Sequence, residues 1–145
     1  GVTPQKQLNL HRPAEGIYGD CYRTAIACLL DLAPADVPHF NDGAVASEDR
    51  LAIRDAWLAE RGFVVVTIAF DCELADLLNV MQHQNTGTYY MLSGFSRTGV
   101  NHVVVACGGE IVHDPSLTDA GIIDRCDDGY HWVEFLLPIA MKAAA

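Results

Sequence analysis

Positive charge is what this chain has least of. Nine Lys and Arg stand against nineteen Asp and Glu in 145 residues, a formal net charge of −10. Phosphate backbones and anionic lipid surfaces are bound by clustered Lys and Arg, so neither nucleic acid nor a membrane is expected as a partner. A basic protein or peptide suits this field, and solubility alone explains it equally well. No apolar run reaches the roughly 18 residues of a membrane helix, and the opening GVTPQKQ has no apolar signal core. The five cysteines, at 21, 28, 72, 107 and 126, include no Cys-x-x-Cys pair. An odd, scattered set points to a reduced, cytoplasmic protein. Repeats, low-complexity tracts and linkers are also missing, so one domain over 1–145 is expected, large enough to bury a core without disulfides or metal.

Half of the residues are hydrophobic and 19% are charged, a composition that suits a packed domain and excludes disorder. Weak alternation over 3–10 predicts an edge strand, and 11–19, with Pro13, Gly16 and Gly19, a loop. Asp20 is placed to cap a first helix with Tyr22, Ala25, Ile26, Cys28, Leu29 and Leu30 as buried contacts, stopped by Pro34. Ser47 is expected to cap a second helix with Glu48 and Asp49 in its first turn and Leu51, Ile53, Trp57 and Leu58 as apolar contacts, ending at Gly62. Residues 63–70 (FVVVTIAF) read as a buried strand. Asp71 then opens a third helix with Leu74, Leu77, Leu78 and Met81 at i, i+3, i+4 and i+7. Beyond Thr88 the pattern predicts strands at 88–95, 101–107, 110–114 and 130–137. Helices followed by a mainly antiparallel sheet make an α+β fold.

The chemistry lies in three pieces. Cys21 falls at the first helical position, where unpaired N–H groups and the helix dipole stabilise a thiolate. Asp20 beside it opposes this unless its carboxylate is committed to capping. His102 opens an apolar strand, NHVVV, and His113-Asp114-Pro115 follows one turn later. If Cys107-Gly108-Gly109 forms a three-residue turn with Gly109 left-handed, Ala106 pairs with Glu110 and Asp114 comes opposite His102. A two-residue Gly108-Gly109 turn shifts the parity and brings His113 beside His102 instead. A carboxylate there would orient the imidazole and stabilise the imidazolium formed with a thiolate. A metal site from Cys21, His102 and Asp114 lacks paired-ligand spacing, so neither metal nor cofactor is expected. His39, on the VPHF loop, and His113 are candidates to line the site. The glycine-containing stretch 93–99 is a candidate lip.

Cysteine at a helix start, then a strand His-x-Val-Val, then Asp-Pro, resembles the papain-like cysteine peptidases, especially their C39-like branch. The segments GDCYRTAIACLLDL, DVPHF, GVNHVVV and VHDPS are similar to small papain-fold proteins of bacteriophages and proteobacteria, over about Pro4 to Pro115. The resemblance implies a papain-like fold and a thiol-dependent hydrolase acting on a peptide or protein. Cys21 would be the nucleophile, His102 the general base and acid, and Asp114 the orienting residue. An acyl transferase of transglutaminase type would use the same three. Papain-like enzymes place an oxyanion-hole glutamine about six residues before the cysteine, where this chain has Glu15. An anion there would repel the oxyanion; Gln7 or Gln5, from the preceding segment, could reach in instead, and Gln7 is the expected substitute. Glu15 also suits a different class, a non-catalytic binding module such as a phage protein that masks a host protein.

Overall fold

Three helices and one five-stranded antiparallel sheet make up the computed structural model, which describes residues 2–141; residue 1 and residues 142–145 of the expected domain lie outside the described residues. The elements run α1 (Cys21–Leu30), α2 (Arg50–Ala59), β1 (Phe63–Phe70), α3 (Leu74–Gln84), β2 (Tyr89–Phe95), β3 (Asn101–Cys107), β4 (Glu110–His113) and β5 (His131–Pro138). The sheet order is β1-β5-β2-β3-β4. The fold is α+β.

Two apolar clusters cover the two faces of the sheet. Alternation along β2 and β3 sends Met91, Val103 and Val105 to one face, where they meet Ala25, Ile26 and Cys28 of α1 and Leu58 of α2. Tyr90, Leu92, Val104 and Ala106 go to the other face, against Leu77 and Met81 of α3. A central strand covered on both faces needs apolar residues in succession, which is why β3 reads VVVA and does not alternate. Burying a leucine or valine side chain in such a cluster is worth roughly 1.5–3 kcal/mol. Among the described residues, no helix is long and apolar enough to cross a membrane.

Several local expectations are overturned. Residues 3–10 form no strand; the segment is held by single backbone bonds, Thr3 N–H to Cys28 and Gln7 N–H to Pro115. β1 is an edge strand, not a buried one, with Val66 and Ile68 about two-fifths exposed. The α2 face also differs, since Leu51 and Ile53 are exposed while Arg54 and Leu58, one turn apart, are buried. Ser47 does not cap α2, whose N-cap is Asp49, and α3 starts after Glu73 rather than at Asp71. In both places a polar run offers competing starts, and the packing of the helix selects among them.

Candidate functional site

The β3–β4 hairpin sets the geometry. Cys107 pairs with Glu110 across a two-residue Gly108-Gly109 turn. It is Gly108, at φ 54°, that takes the left-handed conformation, and not Gly109. That turn alone would carry Asp114 to the wrong face. A bulge intervenes: Ala106 pairs with Ile111 but Val105 pairs with His113, leaving Val112 as the extra residue. One extra residue inverts the parity again, so Asp114 returns to the side of His102. The His102 Nε2–H donates to Asp114 Oδ1 at 2.6 Å.

Asp114 is itself held in place. Its Oδ1 accepts the Ser116 N–H at 2.9 Å, an Asx turn, and its Oδ2 accepts the Gly121 N–H at 2.8 Å. Burial opposes its ionisation, but the His102 hydrogen bond, these two N–H donors and the imidazolium charge prevail and hold the carboxyl well below the usual carboxylate range. For His102 the balance has the same form. Burial disfavours the cation, yet hydrogen bonds to Asp114 and Cys21, with their charges, raise it from 6.5 to about 9. Since Asp114 occupies Nε2, Nδ1 is the nitrogen left for the Cys21 thiol.

Cys21 is half-buried at the first position of α1, and all five cysteines are free. Asp20, at the N-cap, does not cap the helix with its side chain. Its fully buried carboxylate turns away, accepting the Leu8 and Asn9 N–H groups at 3.1 and 2.9 Å and pairing with Arg23 at 2.9 Å. Its charge is therefore compensated, and it ties the N-terminal segment to the start of α1. That segment is also stitched to the loop after β4, because Lys6 Nζ donates to the carbonyls of Asp114 and Ser116. These two anchors bring Gln7 to the site without any strand.

Gln7, Cys21, His102 and Ser116 line a cavity of about 650 Å3. Gln7 is buried and one amide proton goes to the Asn9 carbonyl, which leaves a second donor. Glu15 is not part of this wall; it sits on a surface 3-10 turn, paired with Arg12 at 3.3 Å. Nor do the two candidate histidines, His39 and His113, line it, whereas His11, which sequence reading did not single out, does. His113 donates to the Gln5 carbonyl, and His39 to the Tyr18 carbonyl at 2.9 Å. Asp20 lies beneath the site and not on its surface. The 93–99 stretch contributes Thr98 to this wall.

Sequence reading missed a second hollow of about 480 Å3 that shares Cys21 and His102 with the first. Behind it, Arg54 and Glu134 form a buried pair at 3.1 Å, joined by the Tyr22 hydroxyl, with Thr67 donating to Glu134 at 2.8 Å. Glu134 is the only acidic residue in β5 (HWVEFLLP), a carboxylate inside an apolar run and the one sequence signal that could have marked it. Among the described residues, no group of three His, Cys, Asp or Glu is arranged to hold a metal ion. No family model matches the chain, and no curated protein or solved structure matches it.

Proposed function

We propose that the protein is a papain-like, C39-like thiol hydrolase, a peptidase or amidase, working through Cys21, His102 and Asp114. The observation that carries this reading is the Cys21–His102–Asp114 chain of contacts opening onto a cavity. A buried imidazole raised to about 9 favours the cation that a catalytic thiolate needs beside it. The Cys21 sulfur attacks the substrate carbonyl carbon and forms a C–S bond. The oxyanion lies between the Cys21 N–H, which has no partner within its helix at this position, and Gln7 Nε2. His102 gives its proton to the leaving nitrogen as the C–N bond breaks, leaving a thioester and a neutral imidazole. Water then loses a proton to His102 and attacks the thioester, releasing the acid and restoring the thiol. An amine acceptor in place of water would make the same site an acyl transferase. Because Glu15 stands away from the cavity, its position no longer argues for a non-catalytic binding module.

The deciding measurement is alkylation by iodoacetamide, followed at each cysteine by mass spectrometry at pH 7. Cys21 should react about tenfold or more faster than Cys28 and Cys126, which are buried, and His102→Ala should remove most of that advantage. A Cys21 rate indifferent to His102 would sink the proposal. On a peptide or amide substrate found by profiling, Cys21→Ala should abolish turnover while leaving the thermal midpoint close to wild type.

A further inference from the structure

The two hollows that meet at Cys21 differ in charge. The larger is lined by Arg12 and Arg50 and by no Asp or Glu. This is unexpected in a chain with only nine basic residues against nineteen acidic ones. Two carboxylates that adjoin lining residues are already compensated, Asp20 by Arg23 and two N–H groups and Asp114 by His102 and two N–H groups. Arg50 spends only Nε, on the Val45 carbonyl, which leaves the Nη donors. Arg12 pairs with Glu15 at 3.3 Å, but both side chains are more than half exposed, and such surface pairs exchange partners at little cost. The smaller hollow is different: Asp128 and Glu134 stand in its wall with Arg54.

We propose that the larger hollow is an anion-selecting subsite and that the preferred substrate is an acidic peptide, with an Asp or Glu side chain next to the reacting carbonyl. This rests on the thiol reading of the same site. An arginine fork matches a carboxylate bidentately. In the smaller hollow Glu134 is paired with Arg54, and Asp128, which has no cationic partner among the described residues, repels the same group, so the charge difference also sets which way the substrate lies across Cys21. The overall field of the protein repels anions, so discrimination comes from the subsite and not from steering at long range.

The test uses three probes that differ in one side chain: the chloromethyl ketones of acetyl-Glu, acetyl-Gln and acetyl-Lys. In each, the thiolate displaces chloride, so a C–S bond forms as the C–Cl bond breaks, and mass spectrometry reads the adduct at Cys21. At low ionic strength the Glu probe should react about three- to tenfold faster than the Gln probe, and the Lys probe slower than either, for two cations lining one hollow. The Glu/Gln ratio should fall toward one in Arg12→Gln/Arg50→Gln, since any loss common to both probes cancels. It should fall likewise in wild type at 0.5 M salt, a check that needs no variant to fold. A ratio at or below one, with brisk His102-dependent labelling by the Gln probe, overturns the anion subsite and leaves the thiol reading standing. Labelling by no probe that depends on His102 overturns both.

Discussion

Replacing Asp114 by Asn keeps an acceptor for His102 and removes the charge. In the wild type the imidazole is raised from 6.5 to about 9, and that gap is worth about 3 kcal/mol of preference for the cation. It is what remains after burial, which alone would push the value below 6.5, has been offset. With the carboxylate neutralised, burial gains ground and the His102 midpoint should fall by at least about one pH unit. The amide has a second cost. Asp114 accepts N–H donors on both oxygens, and an amide nitrogen in the place of Oδ2 would face the Gly121 N–H, donor against donor, for about 1–3 kcal/mol. The assay is a histidine ring titration by NMR in wild type and variant, with iodoacetamide labelling of Cys21 at pH 7 alongside. Labelling should slow about tenfold, following the loss of imidazolium. A His102 midpoint unchanged by Asp114→Asn would refute the claim that this carboxylate holds the proton.

Stability should depend on pH in a defined direction. His102 binds its proton more tightly folded than unfolded, so its contribution is complete below pH 6.5 and is lost as pH rises through about 9. Asp114, held low, contributes above its unfolded value of about 3.9 and loses this only in strong acid. Wild type should therefore lose stability between pH 6.5 and 9.5 relative to Asp114→Asn, by up to about 3 kcal/mol in urea melts; parallel curves for the two proteins would contradict this. Glu134→Ala leaves the Arg54 guanidinium buried without its main partner. Unfolding free energy should drop by about 3 kcal/mol, the lower end for a broken buried pair because Asp55 remains, and a drop under about 1 kcal/mol would mean that water or Asp55 suffices.

How much of this could be read before folding depended on the range of the signal. The α1 start at Cys21 and the i, i+3, i+4, i+7 stripe of α3 are local patterns, and both are found as expected, although α3 itself begins at Leu74 and not at Asp71. The strand from Asn101 to Cys107 was equally legible, because a run of β-branched residues has no other comfortable conformation. The Asp-Pro-Ser turn that steadies Asp114 is local too. Edge and centre were not legible: the FVVVTIAF run reads as buried, yet its strand lies at the edge of the sheet.

The residue types of the candidate site were thus determined by the sequence, together with the side on which each element begins. Tertiary structure decided the rest. A single bulged residue, Val112, sets whether Asp114 or His113 shares a side with His102, and bulges depend on strands that meet only after folding. Asp20 looks like a helix cap from its neighbours, but two N–H groups and Arg23 compete for it once the N-terminal segment crosses α1. The arginines of the larger hollow come from positions 12 and 50, and Arg54 and Glu134 from opposite halves of the chain. Periodicity reports on neighbours within a turn or a pleat, whereas a charge balance inside a cavity is a sum over segments that only the fold brings together.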